Sequence, residues 1–498
     1  MRHAVTVLLF LALLLPAAPA RAANGYDALF GAKNEWLNAA RPLTAADAKG
    51  RMVLLDFWTY GCINCMQVVP DLEKLEHEFG ERLLIIGVHS AKFAGEKGSA
   101  RILAAAKRFG LEHPVINDAS FDVWDAFAVN AWPTLILLDT EGNETVRYAG
   151  EGHYKEIRTD ISNALAGHKN NAATKLSELK AANENTGTLN FPGRLGFAPD
   201  TPWGELLFVA DSGHNRLLGL TLDGKVKVTI GSGAEGFKNG GFEEASFNQP
   251  RGFGVAKDGI YIADTLNHAI RFADFRTRNV STVAGTGQQG YDRRIRDANA
   301  LDTRLASPWD AKLLEDGRTL VIAMAGLHQL WTLDTVAGTV SALAGTGKES
   351  IDDGNALSAS LSQPSGISVA RDAVYFVDAE TSSLRVLKDG KVRTLIGTGL
   401  FDFGLLDGAY PRARMQHAQG LDANGGRVVI ADTYNNALRL YDISSGKLST
   451  LPLEKGAVEE PGDVLQLNGK IFVADTNHHR IVTVDPVTGK TAPLAIKP

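Results

Sequence analysis

The chain of 498 residues contains only 2 cysteines. Disulfide-stapled scaffolds and cysteine-rich zinc modules need four or more thiols, so both classes are excluded. Basic charge is also scarce, since 51 Lys and Arg stand against 57 Asp and Glu, for a formal net charge of −6. Nucleic-acid binding usually needs a basic patch or stripe. We therefore expect no nucleic-acid partner, no metal site and no separate cofactor.

Long apolar runs are absent except at the N-terminus. There Arg2 precedes the apolar residues 4–15, and a proline and several small residues follow. This run is short for a bilayer span, although a retained membrane anchor is the alternative interpretation. Ala20-Arg21-Ala22 offers the small-x-small pattern that signal peptidases cleave. We expect residues 1–22 to be a signal peptide, and the mature chain to be periplasmic or otherwise extracytoplasmic, without a membrane span.

Length and glycine content indicate how the rest is organised. A chain of 498 residues exceeds what one hydrophobic core usually organises, so two or more packed units are expected. Glycine accounts for 51 residues, about 10% against an average of roughly 7%. This excess predicts a turn-rich architecture.

Both cysteines lie where a predicted strand ends and a predicted helix begins. Residues 52–58 form an apolar run of strand length, and residues 62–80 carry apolar side chains at helical spacing. Three further elements are predicted, namely strands at 83–88 and 134–138 and a helix at 99–109. This alternation predicts an α/β sheet domain, which we assign to residues 23–166.

The position of the CxxC pair predicts redox chemistry. A helix N-terminus carries about half a positive charge, which favours a thiolate, so Cys62 is the predicted nucleophile. Cys65, one helical turn further on, can resolve a mixed disulfide. The predicted redox group is therefore the Cys62–Cys65 disulfide. The alternatives are an inert structural disulfide or half of a metal site.

The segment LLDFWTYGCINC resembles the active-site segment of thioredoxin-fold proteins, and Trp132-Pro133-Thr134 resembles their cis-proline loop. This resemblance implies that Pro133 lies beside the disulfide and that Trp132 pairs with the substrate backbone. It also matches Asp56 to the buried acid of thioredoxins. Such an acid can accept the proton of Cys65, and burial would raise its pKa toward a useful range. The alternative for Asp56 is a strand-end residue that caps a turn.

Two more features concern substrate. Trp58 and Tyr60 flank the cysteines and are candidates for a protein-contact surface, although aromatic residues at such positions are as often packing residues. Residues 92–118 exceed the thioredoxin minimum and resemble the insert of periplasmic thiol-disulfide proteins of the TlpA and ResA kind.

The second half of the chain is repetitive. Residues 167–190 are polar and form the predicted linker. Six later segments share one form: LFVADSGHNRLLGL from Leu207, IYIADTLNHAIRF from Ile260, LVIAMAGLHQLWTL from Leu320, VYFVDAETSSLRVL from Val374, VVIADTYNNALRL from Val428 and IFVADTNHHRIVTV from Ile471. Each unit has room for four short strands, which is typical of a β-propeller blade.

These units resemble NHL repeats, so we expect a six-bladed NHL-type β-propeller over residues 191–498. No strand is visibly held over from one end to the other, so the mode of ring closure stays open. The recurrent Asp invites a catalytic or metal interpretation. We favour a turn that the Asp ties by hydrogen bonds, because nearly every blade has it.

Together the two parts resemble the family that joins a thioredoxin-like domain to an NHL-repeat propeller, and the segments GVHSAKF at 87–93 and HPVIND at 113–118 strengthen the match. The predicted function is that of an exported thiol-disulfide oxidoreductase. Its partners would be protein thiols or disulfides and an unidentified redox partner, with the propeller as a platform for substrate or for a protein ligand. Two alternatives stay open: a redox-passive scaffold that acts through the propeller, and a Cu(I)-handling protein that uses Cys62, Cys65 and Met66.

Overall fold

A computed structural model describes residues 21–167, 174–181 and 187–497. Residues 1–20 of the predicted signal peptide lie outside the described residues. So do residues 168–173 and 182–186 of the predicted linker. The described chain forms one six-stranded mixed sheet with helices, followed by six smaller antiparallel sheets. This confirms the predicted fold class, an α/β thioredoxin-like domain followed by a six-bladed β-propeller. Within the ranges described, no helix is long and apolar enough to cross a membrane.

The sheet of the first domain has the strand order β1-β4-β3-β2-β5-β6. Its strands are β1 (Glu35–Leu37), β2 (Met52–Trp58), β3 (Leu83–His89), β4 (Val115–Asn117), β5 (Thr134–Leu138) and β6 (Glu144–Ala149). Every residue of β2, β3 and β5 is buried, because helices cover both faces of the sheet centre. The pairs β2–β3 and β3–β4 are parallel, and β5 runs antiparallel to β2.

The helices of this domain follow the predicted alternation. They are α1 (Arg21–Leu29), α2 (Ala45–Ala48), α3 (Ile63–Phe79), α4 (Ser99–Phe109), α5 (Asp122–Ala126) and α6 (Tyr154–Leu165). Helix α3 packs its buried residues Leu72, Leu75 and Phe79 against β2 and β3. Its first turn therefore presents the CxxC pair at the end of the central strand β2.

The six blades follow in chain order. Blade 1 has β7 (Pro192–Ala198), β8 (Leu206–Asp211), β9 (Arg216–Leu220) and β10 (Val226–Ile230); blade 2 has β11 (Gly240–Gly241), β12 (Pro250–Val255), β13 (Gly259–Asp264), β14 (Ala269–Asp274) and β15 (Asn279–Ala284); blade 3 has β16 (Ala298–Asn299), β17 (Pro308–Leu313), β18 (Thr319–Met324), β19 (Gln329–Asp334) and β20 (Thr339–Ala344). Blade 4 has β21 (Gly354–Asn355), β22 (Pro364–Ala370), β23 (Ala373–Asp378), β24 (Ser383–Lys388) and β25 (Lys391–Ile396); blade 5 has β26 (Gly408–Ala409), β27 (Gly420–Asn424), β28 (Arg427–Asp432), β29 (Ala437–Asp442) and β30 (Lys447–Thr450); blade 6 has β31 (Pro461–Leu467), β32 (Lys470–Asp475), β33 (Arg480–Val484) and β34 (Thr491–Pro493).

The strands β7, β12, β17, β22, β27 and β31 contact one another around the axis of the ring and form its inner wall. The ring closes between blades 6 and 1. Residue Lys497 returns to the outer strand of blade 1, where its carbonyl accepts the Val226 N–H at 2.9 Å and it pairs with Lys225. Lys497 thus adds to the outer edge of blade 1 and links it to blade 6. All four strands of blade 6 come from the sixth repeat itself.

The recurrent Asp of the repeats is a structural tie. In blade 5, for example, Asp432 accepts hydrogen bonds from the Gln416 N–H (2.7 Å), from Asn435 (2.8 Å) and from Arg439 (2.7 Å). Asp211, Asp264, Asp378 and Asp475 make the equivalent bonds. Each Asp thereby fixes the connection that enters its blade, as the sequence predicted.

Part of the predicted linker packs on the first domain. Leu179 is buried in the core beside β4 and β5, and its carbonyl accepts the Ala40 N–H at 3.0 Å. Residues 176–178 form a single 3₁₀ turn. The linker therefore follows the thioredoxin-like domain before the chain enters blade 1.

Candidate active site

The two cysteines differ sharply in exposure. Cys62 is half-buried at the N-cap position of α3, and Cys65 is buried one turn below it. Both are free thiols in this structure. Burial raises the pKa of the Cys65 thiol well above its ordinary value, and the neighbouring Cys62 and Asp56 raise it further. This arrangement separates an accessible thiol from a protected one.

Asp56 lies behind Cys65 in the middle of β2. Its side chain is 2% exposed, and its Oδ1 has no hydrogen-bond partner among the described residues. Burial raises the pKa of this carboxyl to about 7, while the nearby His113 acts in the opposite direction. A carboxyl with this pKa can exchange a proton near neutral pH. Oδ1 therefore caps no turn, so this oxygen gives the capping interpretation no support.

A cleft of about 250 Å³ opens beside Cys62. One wall is the thioredoxin-like domain, with Cys62 and the loop 130–132, which includes the half-buried Trp132. The peptide bond between Trp132 and Pro133 is cis. The opposite wall belongs to the propeller and is formed by His328, Glu349, Gln363, Glu380, Leu400 and Phe401.

Gln363, from the connection into blade 4, holds the backbone on both sides of Cys62. Its Oε1 accepts the Ile63 N–H at 2.8 Å, and its Nε2 donates to the Gly61 carbonyl at 2.8 Å. The side chain of Gln363 is 1% exposed, and the backbone N–H of Gln363 donates to His328 Nδ1 at 3.0 Å. The propeller thus fixes the loop that carries Cys62.

An ion pair between the domains lies in the same cleft. The Lys92 ammonium pairs with Glu380 and lies 3.5 Å from Glu349. Burial disfavours this ammonium, but the two carboxylates outweigh burial and hold the pKa of Lys92 well above its ordinary value. Burial raises the pKa of Glu380, and Lys92 opposes that rise. The charges around Cys62 are therefore shared between the two domains.

Trp58 and Tyr60 do not form an exposed contact surface, so that prediction is wrong. Trp58 is 2% exposed and packs edge-on against His89 and Phe109. Tyr60 is fully buried because the propeller covers it, and its hydroxyl donates to Glu460 Oε1 at 2.7 Å. The flanking aromatic residues serve packing and domain contact.

The propeller residues near Cys62 could not be identified from the sequence. The only signal is the Gln-Pro dipeptide that recurs before inner strands, at Gln249-Pro250 and Gln363-Pro364. It marks the entrance to a blade but does not indicate which blade meets the cysteines. Contacts such as that between Gly61 and Gln363 join residues about 300 positions apart.

Residues 50–144 match a family model described as thioredoxin-like. NHL repeat-containing protein 2 of Gallus gallus is 36% identical over 504 residues, which cover 91% of this chain and 69% of that protein. The chain belongs to the family of NHL repeat-containing protein 2. Protein SUPPRESSOR OF QUENCHING 1, chloroplastic, of Arabidopsis thaliana is 38% identical over 500 residues, which cover 93% of this chain and 47% of that protein.

A third match concerns the first domain of this family member alone. Thiol-disulfide oxidoreductase ResA of Halalkalibacterium halodurans is 29% identical over 96 residues, which cover 19% of this chain and 52% of that protein. The family relationship confirms the predicted combination of a thioredoxin-like domain with NHL repeats. The shorter match supports a redox-type role for the first domain.

Proposed function

We propose that this protein is an exported thiol-disulfide oxidoreductase whose propeller forms one wall of the active site. The observation that carries the proposal is the CxxC pair at the start of α3, with Cys62 at a cleft and Cys65 buried beneath it. An accessible nucleophile above a protected resolving thiol is what disulfide exchange requires. An inert structural disulfide would have no need of a cleft at its first sulfur.

In the reductive direction the Cys62 thiolate attacks one sulfur of a substrate disulfide. The substrate S–S bond breaks, a mixed disulfide forms, and one substrate thiolate leaves. Cys65 then gives its proton to Asp56 and attacks the Cys62 sulfur. The second substrate thiolate leaves, the protein retains the Cys62–Cys65 disulfide, and two electrons have passed to the substrate. The oxidative direction is the same sequence reversed.

The propeller would act as a platform for substrate at this site. Substrate that reaches Cys62 through the cleft would meet Trp132, next to its cis peptide bond with Pro133, on one side and propeller residues such as Phe401 on the other. Phe401 is 63% exposed, so it is available for an apolar contact. We include export in the proposal because the sequence predicts a signal peptide. Export would place the cysteine pair in an extracytoplasmic compartment, where a disulfide can form and persist.

Copper handling has less support than disulfide exchange. Met66 would have to serve as the third ligand, yet its Sδ lies 3.7 Å from the guanidinium of Arg251. A second positive charge at this sulfur would be repelled. Within the part of the chain that the structure describes, no three His, Cys, Asp or Glu side chains are grouped so that they could hold a metal ion.

Turnover of a model disulfide by the full chain and by Cys62→Ser and Cys65→Ser tests the proposal. Both variants should lose catalysed reduction, and Cys65→Ser should accumulate a mixed disulfide at Cys62 that mass spectrometry detects. Full turnover by Cys62→Ser would contradict the proposal. Partner capture that survives loss of both thiols, without any turnover by the unmodified protein, would favour the scaffold alternative instead.

A further inference from the structure

A second cavity lies at the junction of the domains, over the axis of the propeller. It has a volume of about 30 Å³, and its wall includes Arg108 of α4 together with Arg194, Arg251 and Trp309 of the inner propeller strands. Three guanidinium groups thus converge on one small space between the domains. It is distinct from the cleft at Cys62, with which it shares no lining residue.

Arg251 has no anionic partner among the residues that the structure describes. Its guanidinium lies 4.8 Å from the ring of Trp309 and 5.8 Å from that of Phe109, and one Nη is 3.7 Å from Met66 Sδ. No carboxylate of the described chain lies within 4.0 Å of it, although its side chain is half-buried. Burial, and then the neighbouring Arg108 and Arg194, lower the pKa of Arg251 to about 9, so it stays charged at neutral pH. Aromatic contacts alone seldom compensate a charge that is partly removed from water.

The other two arginines share their carboxylates with further cations. Arg108 lies 3.8 Å from Glu460, which also faces Arg101 at 3.9 Å and accepts the Tyr60 hydroxyl. Arg108 also has a buried Nε with no hydrogen-bond partner among the described residues, and the buried Nε of Arg194 makes no hydrogen bond but lies 3.5 Å from Asp310. The wall of the cavity therefore has hydrogen-bond donors to spare.

Asp310 serves both Arg194, at 3.5 Å, and Lys312, at 2.8 Å. Asp463, which faces the same two cations, has its pKa raised to about 7 by burial, and burial likewise raises the pKa of Glu460. Two further carboxylates interact with these groups, Asp422 with Lys312 and Glu459 with Glu460, so positive and negative charges balance over the wider junction. The imbalance is confined to the cavity wall, where Arg108, Arg194 and Arg251 meet and the lining residues include no carboxylate.

We propose that a small inorganic anion of the halide class, in practice chloride, binds in this cavity between Arg108 and Arg251. Buried charges in proteins are paired, and here the protein supplies donors without a matching carboxylate. A space of about 30 Å³ holds one or two water-sized species, which suits a halide ion and excludes organic ligands.

The bound anion would join the two domains. Arg108 belongs to the thioredoxin-like domain and Arg251 to blade 2 of the propeller. Arg251 also reaches Met66, the residue after Cys65. The anion therefore helps to hold the helix of the CxxC pair against the propeller, whatever the chemistry of the cysteines proves to be.

Thermal unfolding of the full chain in sodium chloride and in sodium gluconate at equal ionic strength tests the site. Gluconate is too large for the cavity. A ligand that binds only the folded protein raises its midpoint of unfolding, so we expect a saturating increase of about 2 °C in chloride. Arg251→Met keeps the packing but removes the charge, and it should abolish the increase. Arg276→Met removes an exposed arginine from a turn of blade 2 and should leave the increase intact.

Crystals soaked in sodium bromide give an independent result, even if Arg251→Met fails to fold. An anomalous peak in the cavity, within hydrogen-bonding distance of Arg108 and Arg251, is expected. Equal chloride dependence in the unmodified protein and in Arg251→Met would overturn the proposal. So would a cavity without a bromide peak.

Discussion

At the scale of single residues, the candidate site combines the half-buried Cys62 with three buried groups, Cys65, Asp56 and Gln363. Cys65 and Asp56 lie below Cys62 within the first domain, and Gln363 reaches it from the propeller. Burial determines the protonation of the first two, whereas Gln363 acts through two hydrogen bonds to backbone groups. Each of these roles can be tested by one substitution.

Asp56→Asn should stabilise the protein at alkaline pH. The folded-state pKa of Asp56, about 7, lies above the ordinary value of roughly 3.9, so the folded protein binds this proton more tightly than the unfolded chain. Stability therefore falls as the pH rises from about 4 to about 7, and above 7 the buried charge costs on the order of 2–4 kcal/mol. Asparagine avoids that cost.

Unfolding by urea at pH 5 and pH 8 measures the effect. The variant should gain more stability over the unmodified protein at pH 8 than at pH 5, where about a third of the cost of the buried charge is already present, while its mixed disulfides resolve more slowly. Asp27→Asn, at an exposed position, is the matched control. An equal gain at both pH values would disprove the assigned role of the Asp56 charge.

Gln363→Glu should slow the chemistry of Cys62. A carboxylate cannot donate to the Gly61 carbonyl, and it places negative charge beside the thiolate that must form. We expect alkylation of Cys62 by iodoacetamide at pH 7 to slow about 3- to 10-fold. Gln416→Glu is the matched control, since it lies away from Cys62 and its carboxylate can still accept the Gly95 N–H. This variant should not slow the alkylation of Cys62. Equal alkylation rates in both variants would show that the hydrogen bonds from Gln363 to the loop of Cys62 do not influence the reactivity of its thiol.

At the scale of structural elements, the blades show how a buried ion pair can be exchanged for an apolar one. In blades 2, 4 and 5 the tying Asp pairs with an Arg seven residues later, as Asp432 does with Arg439. Blade 3 has Met324 and Trp331 at the two positions, and both are fully buried. The repeat therefore accepts either a charged pair or an apolar pair at these two buried positions.

Asp432→Met should destabilise blade 5 because it removes the buried one of the two carboxylates that pair with the buried Arg439 and leaves only Asp407, which is largely exposed. Removing one partner of a buried pair typically costs about 3–5 kcal/mol, and the remaining pair with Asp407 should place the loss at or below the lower end of that range. The double variant Asp432→Met with Arg439→Trp, which copies blade 3, should recover at least half of the loss. Urea unfolding followed by circular dichroism measures both. A double variant no more stable than the single one would show that the pairing does not explain Met324 and Trp331.

Local pattern was enough to predict these elements. Apolar periodicity located β2, β3, β5 and α3, and self-similarity located the blades. Burial of Trp58 and Tyr60 was missed because it depends on neighbours far away in the chain: Tyr434 packs against Tyr60, and Glu460 accepts its hydroxyl hydrogen bond. The docking of the two domains has no periodic signature, so Gln363, Glu380 and the arginine-lined cavity could be found only in three dimensions.

At the scale of the whole molecule, the active site belongs to neither domain alone. The loop of Cys62 fits the propeller so closely that a Cβ atom at Gly61 would lie 2.8 Å from Glu96 Oε1 and 2.9 Å from both His417 and Tyr434. Two of these three contacts come from the propeller. Close packing at this residue therefore couples the geometry of the CxxC loop to domain docking.

Gly61→Val should separate the two domains locally. Its side chain cannot fit without displacing His417 and Tyr434, and such overpacking costs about 1–3 kcal/mol. Hydrogen exchange in the first turn of α3 and in the connection around His417 should become faster. The blade 2 strands, which make no contact with Gly61, supply the internal control. Unchanged exchange at both sites would show that docking does not depend on this contact.

The reduction potential of the Cys62–Cys65 couple, measured on the full chain in glutathione buffers, tests the central claim most directly. We expect a reversible two-electron transition between about −270 mV, the value for a reductant such as thioredoxin, and about −120 mV, the value for a strong oxidant. A pair that never forms a disulfide would contradict the account. So would a disulfide with a potential below about −300 mV, which is typical of a structural bond.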